Sequence, residues 1–454
     1  MIKTFFGAIF RSPLSLVGAL LTTVSAVLFL TLFVAAELNP RLGGGYAGIV
    51  SFVILPGVFV LGLLLIPLGL ARLRKKEREG GEARAPVIDL NVPRTRMVVS
   101  MVALLTLVNV VIVATATYKG VQTMESVEFC GGACHSVMSP EYTAYQRSPH
   151  SRVQCTRCHV GSGAEWFVRG KASGVDQLVS VALGTYPRPI PTPVEDMREA
   201  EETCEECHAR GRVMRDRLSV IDRFEEDEGN TWKKTVLLNK VAKVHWHVGS
   251  QVRFRSDAKR LFVAELERPL PDGGVRRWKN EQSPDAGVSD EWRTMDCVDC
   301  HNRPAHAYQR PRDEVDRALA SGAVDRTLPF IRREGLRVVQ LPWPDHDAAK
   351  AGIRRELSDF YAKRYPDVAA ARVDRAAEGL FELYRRNVFP SMNIGWGTYP
   401  DFRDHDGEGG CFRCHTSDLT SADGLKVSDR CELCHLTLAE EEESPEILEL
   451  MSEE

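Results

Sequence analysis

Phe129-Cys130-Gly-Gly-Ala-Cys134-His135-Ser-Val-Met138 is followed, after sixteen intervening residues, by Cys155-Thr-Arg-Cys158-His159, and four further stretches repeat the second pattern. These are Cys204–Cys207–His208, Cys297–Cys300–His301, Cys411–Cys414–His415 and Cys431–Cys434–His435. Together the six motifs use all twelve cysteines of this 454-residue chain, leaving none for a separate disulfide framework. Chance would give roughly 0.01 C-x-x-C-H motifs at this composition, against the five present. Two thiols at this spacing add across porphyrin vinyl groups as thioethers, and the adjacent imidazole reaches the iron as its proximal ligand. Zinc ribbons pair C-x-x-C knuckles but do not require a histidine after each one. The pattern therefore predicts six covalently bound haem c groups, the first of them on a motif one residue longer than the others.

A low-spin electron-transfer haem needs a second axial ligand, usually His or Met. Beyond the six proximal histidines stand His150, His245, His247, His306, His346 and His405. Met138, three residues after His135, is a suitable ligand for the first iron. Five haems then need five of the six histidines. His346 is the one left over, because Asp345 and Asp347 place it in a polar loop. His245 and His247 would share a face of a strand and take opposite faces of a helix. In either case both reach iron only where two haems are close neighbours, and Trp246 between them suits packing on a porphyrin.

Hydropathy divides the chain near residue 118. Three apolar runs precede it, at about Leu14–Ala36, Ala47–Leu70 and Met97–Ala116. Each is close to the ~20 residues that span a bilayer as a helix. The first is too long for a signal-peptide core, which has about 7–15 apolar residues. The connection Arg72–Arg96 holds eight Lys/Arg, whereas Glu37–Tyr46 holds only Arg41. Basic loops stay in the cytoplasm, so the N-terminus is inside and everything after Lys119 is delivered outside. The segment up to residue 118 carries a net +6 against −4 for the whole chain, so the outer part is acidic at −10. That excludes nucleic acid as a partner. The glutamate-rich tail from Glu440 to Glu454 reads as solvated.

The long gaps Ala209–Asp296 and Asn302–Gly410 must fold as ordinary protein. Val252-Arg-Phe-Arg and Leu261-Phe-Val-Ala-Glu-Leu alternate and precede Pro271-Asp-Gly-Gly, which predicts a small β element. Arg312–Ser321 and Ala348–Arg364 have helical periodicity, the second ending near Pro366. The expected fold is mainly α with sparse secondary structure. Residues 1–118 form a three-helix transmembrane anchor, and 119–215 carry haems one to three. Residues 216–310 hold a β-containing insertion and haem four, and 311–454 a helical segment, haems five and six and the acidic tail.

The chain resembles the membrane-anchored quinol dehydrogenase cytochromes of NapC/NirT type. The resemblance runs through Cys134-His135-Ser-Val-Met138, Ser139-Pro-Glu-Tyr142, Ser148-Pro-His150, Cys155-Thr-Arg-Cys-His-Val-Gly161, Lys171, Thr185-Tyr-Pro and Glu202-Thr-Cys204-Glu-Glu-Cys-His208. Cys297-Val-Asp-Cys-His301 with His306 is similar to the family's fourth haem. The later part, with Asn393-Ile-Gly-Trp-Gly-Thr-Tyr-Pro400, resembles the larger ImcH-like inner-membrane cytochromes of metal-respiring bacteria. The resemblance implies oxidation of menaquinol or ubiquinol at the outer face of a bacterial inner membrane, with electrons passing to periplasmic cytochromes or reductases in anaerobic respiration. It also implies that Met138 ligates the first haem, that His150 and His306 are distal ligands, and that Lys171 and Asp176 line the quinol site. The family core has one anchor helix, so the first two helices are additions here. Haem iron accepts one electron at a time, so quinol oxidation needs a nearby base for the protons. Two rival functions are a passive electron-transfer subunit without its own quinone site and a terminal oxyanion reductase. The second would favour a C-x-x-C-K motif, and the sequence has none. Mass spectrometry of the mature chain is expected to show six haem additions; five or fewer would remove the Cys130–His135 motif from the set.

Overall fold

The computed structural model describes residues 12–38, 54–78, 89–97, 100, 115–116, 118–133, 136–160, 164–194, 197–208, 215–282, 287–403 and 409–452. It divides into two compact units, Met1–Ser136 and Val137–Glu454. Most of the third apolar run, together with Cys134, His135 and His405, lies outside the described residues.

In the first unit, helices α1 (Pro13–Leu38) and α2 (Leu55–Arg78) pack side by side. Small residues set their contact. A Cβ on Gly18 would lie 2.7 Å from the Gly62 carbonyl oxygen, so the backbones approach closely enough to require glycine. Ser15 Oγ donates to the Ile66 carbonyl at 2.9 Å across the same seam. Ser12, Ser15 and Ser25 are buried, while Leu20 and Leu64 are 62% and 60% exposed. This inverts the arrangement of a water-soluble helix pair and suits helices whose outer surface meets lipid. Leu55–Lys75 is long and apolar enough to cross a membrane. Beyond the third run, residues 118–124 are helical and Phe129–Ala133 forms a π-helical turn.

The second unit mixes helix and sheet, where the sequence led us to expect mainly helix. Strands β1 (Arg217–Phe224) and β2 (Trp232–Asn239) form a full-length antiparallel hairpin. The next segment supplies β3 (Arg253–Ser256), β4 (Val263–Pro269), β5 (Val275–Asn280) and β6 (Arg293–Thr294). The Leu270–Gly274 turn joins β4 to β5, with Leu270 N–H donating to the Gly274 carbonyl at 2.8 Å. Two strands arrive from the far end of the chain. β7 (Leu419–Ser421) adds to β5, giving the order β6-β3-β4-β5-β7, and β8 (His435–Glu442) adds to β2, giving β1-β2-β8. The start of the glutamate tail is therefore strand, with Ala439 buried opposite Val236.

Between these strands the chain forms four helices, α3 (Pro311–Ala320), α4 (Ile331–Val339), α5 (His346–Arg364) and α6 (Ala370–Arg385). Pro311 opens α3 at the first turn, where its missing N–H costs nothing. The Asp345 carboxylate accepts the Ala348 N–H at 2.7 Å and starts α5. Leu319, Leu328, Ile331, Ile353, Leu357, Leu380 and Leu383 are fully buried between the helices. Buried Asn230, in the β1–β2 turn, donates to the Leu328 carbonyl at 2.8 Å and accepts from Arg332 N–H at 2.9 Å. That asparagine fixes the hairpin to the helical cluster.

Candidate haem centres

The second to fifth cysteine–histidine motifs each fold as one tight helical turn. His208, His301 and His415 each donate their backbone N–H to the carbonyl of the motif's first cysteine, at 2.8, 2.8 and 2.9 Å. Cys155–His159 is a single helical turn. One turn brings both thiols and the imidazole to the same side, as attachment to one porphyrin requires. The described start of the longer first motif, Phe129–Ala133, is a π-helical turn. Among the described residues no three or more His, Cys, Asp or Glu side chains converge as a metal cluster. Burial pushes the Cys204 thiol up to about 12 and that of Cys300 up to about 11, opposite to the lowered values of redox-active or metal-bound thiols.

The described distal candidates each face a motif histidine. The ring centroids of His159 and His306 are 6.1 Å apart, those of His208 and His150 6.1 Å, those of His301 and His245 6.1 Å, and those of His415 and His247 5.8 Å. An imidazole nitrogen lies about 1 Å outside its ring centroid and a metal–imidazole bond is about 2 Å. Two axial imidazoles on one iron should thus have centroids about 6 Å apart. All four pairs fit that spacing. His245 and His247 face different motifs, fourth and fifth, and Trp246 stacks on His247 at 4.4 Å.

Hydrogen bonds fix which ring nitrogen is available. Nδ1 of His150 lies 3.2 Å from the Pro304 carbonyl, that of His306 3.0 Å from Glu141 O, that of His245 2.8 Å from Val241 O and that of His247 2.7 Å from Val244 O. A carbonyl only accepts, so each Nδ1 carries the proton and Nε2 keeps its lone pair for a metal. Burial lowers the pKa of His247, His301 and His306, which favours the neutral, ligating form. His346 is built the other way. Its Nε2 faces the Val388 carbonyl at 2.7 Å, and its ring packs against Phe381, Tyr384 and Phe389. It also sits at the start of α5 rather than in the hydrated loop expected from its aspartate neighbours.

From the second motif onward, motifs that follow one another in sequence also touch. Arg157 of the second pairs with Glu206 of the third at 3.5 Å. The Cys204 and Cys297 thiols of the third and fourth are within hydrogen-bonding reach. Arg413 in the fifth donates to the Asp299 carbonyl in the fourth. Cys411 and His415 share a cavity with Cys431, Cys434 and His435.

The remaining expected residues are placed less fully. Met138 is half-buried in a short turn, and its expected partner His135 lies outside the described residues, as does His405. Lys171 and Asp176 both fall in the helix Ala164–Leu183, and Asp176 is exposed. Positions five apart are about 140° apart around a helix, so a site using both must span two faces. The carbonyl anchors Glu141, Val241, Val244 and Pro304 were invisible in the sequence, since every residue type carries a carbonyl.

The model of the NapC/NirT cytochrome c family, N-terminal region, matches residues 92–219. The chain is 35% identical over 452 residues to the cytochrome c-type protein ImcH of Geobacter sulfurreducens, covering 95% of this chain and 89% of that protein. No solved structure matches. Covalent haem c is therefore the group these motifs hold, and the ring spacings fit it. Replacing His150, His245, His247 or His306 by alanine is expected to convert one haem each to high spin, whereas His346→Ala should leave the low-spin spectrum unchanged. A high-spin haem in the His346 variant would contradict the ligand assignment.

Proposed function

Because the chain belongs to the NapC/NirT-type cytochromes c, in their larger ImcH-like form, we propose that it oxidises menaquinol or ubiquinol at the outer face of the inner membrane and relays the electrons through six haems to periplasmic acceptors. Bound haem c supplies one-electron redox chemistry. The observation that carries the relay is the set of paired imidazoles on motifs that neighbour one another in chain order. His306, His150, His245 and His247 serve haems two to five in that order, Met138 serves the first, and His405 remains for the sixth. Residues 1–118 are a three-span anchor with its N-terminus inside, followed by haem-bearing segments 119–215, 216–310 and 311–454.

Electrons enter at the first haem. Residues 118–124 and Phe129–Ala133 are helical, and helix rises about 1.5 Å per residue. The twelve steps from Tyr118 to Cys130 then span only about 20 Å, which keeps this motif near the bilayer surface where a lipid-soluble quinol arrives. Lys171 hydrogen-bonds the quinol oxygen and Asp176 takes up a proton. A positioned proton-transfer group contributes on the order of 10²–10⁴-fold. Lys171→Ala and Asp176→Asn should therefore slow reduction by a menaquinol analogue by up to that factor while leaving the dithionite endpoint unchanged. Unchanged quinol kinetics in both would exclude these residues and turn attention to a quinone site on α1 and α2, or to a passive relay fed by another subunit.

A further inference from the structure

A cavity of about 410 Å³ lies beside the segments that hold two distal histidines. Ser148 and Pro149, directly before His150, form part of its wall, as does Pro304, whose carbonyl accepts the His150 Nδ1 proton. Four guanidinium groups line it, from Arg147, Arg317, Arg386 and Arg403, against a single lining carboxylate, Glu314.

Glu314 is fully buried and already saturated. Arg386 donates to its Oε2 through Nη2 at 2.7 Å and Nε at 3.1 Å, Arg147 approaches the same oxygen at 3.8 Å, and Arg317 pairs with Oε1. Arg147 is oriented further by the Arg386 carbonyl at 2.9 Å and Asn387 Oδ1 at 3.2 Å. Arg403 is matched by Asp401, which stands outside the wall. The wall itself therefore carries four cations against one carboxylate, with Asp401 behind Arg403 and Glu382 near enough to Arg386 to be stabilised by it. Burial lowers the pKa of Arg147, and neighbouring Arg386 and Arg317 add to the effect against the opposing pull of Glu314. Fixed, partly dry guanidinium groups of this kind bind planar oxyanions through paired N–H donors.

We propose that this cavity is an anion site for a carboxylate or similar oxyanion, and that it sets the reduction potential of the haem held between His150 and His208. The inference rests on reading those two histidines as one haem's axial pair. The chemistry has two sources. One is a propionate of the haem that His150 and His208 would hold. The other is a small oxyanion from solution. In either case the arginines disfavour the more positive oxidised iron, and net charge around a haem is a main determinant of its potential.

The test is spectroelectrochemical titration of the full-length detergent-solubilised protein, as wild type, Arg386→Gln and Arg386→Lys. Each is measured with and without acetate or phosphate at constant ionic strength. Haem content and low-spin spectra are recorded first, so a fault in the axial pair shows as a lost or high-spin haem and is distinguished from a fault in the anion site. With propionate as occupant, one component moves to lower potential in Arg386→Gln, returns in Arg386→Lys and does not respond to added anions. With a free oxyanion, one wild-type component falls saturably on adding acetate or phosphate, and Arg386→Gln loses that response. Arg317→Gln, at the exposed rim, repeats the comparison should Arg386→Gln fail to fold. Superimposable titrations of all variants, with no saturable anion response, would overturn the proposal.

Discussion

An iron bound by an imidazole on each face demands two histidine rings about 6 Å apart, each with Nε2 directed inward. This chain meets the demand four times with rings drawn from distant parts of its sequence. Each distal ring is steadied by a backbone carbonyl on its outer nitrogen, an arrangement that fixes tautomer and direction together. Such pairs close long loops. His306 brings the end of one haem segment back onto the second motif, and His247 brings the fifth motif onto the middle of the chain. Metal binding that links remote segments becomes part of the folding free energy. The helices and sheets supply buried aliphatic cores of their own, whereas the described residues between Val137 and residue 208 include few that are buried, so this stretch depends most on the cross-linking.

The sheets perform a related task at the far end. β7, just after the fifth motif, and β8, which begins on the sixth motif's His435, are short or exposed strands that would not stand alone. Pairing with β5 and β2 sets their position. Lys240 reinforces the second junction by donating its N–H to the Cys434 carbonyl at 2.8 Å. The terminal motifs are thereby held against a rigid frame, at a fixed distance from the fourth motif that Arg413 contacts. A relay needs that constancy more than it needs any particular surface.

The local features were legible from sequence because they rest on residue type and short spacing. The six motifs and the pool of candidate distal histidines follow from counting, and His346, set apart there for its aspartate neighbours, sits instead among aromatic rings. The partner of each ligand was not legible, since nothing in His150 specifies His208 over His159. The β content was understated for a physical reason. β8 reads His-Leu-Thr-Leu-Ala-Glu-Glu-Glu and buries only Ala439, so it lacks the alternation that marks a strand, and its partner lies some two hundred residues away. Helix α4 went unread because the charged residues Arg332 and Glu334 sit on its buried face and are matched there by Asp316 and Arg337. The arginine cavity collects residues from four separate segments and leaves no sequence trace.

The imidazole pairing itself is tested most directly by near-infrared magnetic circular dichroism of the oxidised full-length protein, which separates bis-histidine from histidine–methionine haems by their charge-transfer bands. With His346 excluded and Met138 on the first iron, five bis-histidine haems and one histidine–methionine haem are expected from the twelve histidines. Fewer than four bis-histidine haems would contradict the pairing of His150, His245, His247 and His306 with their motif partners.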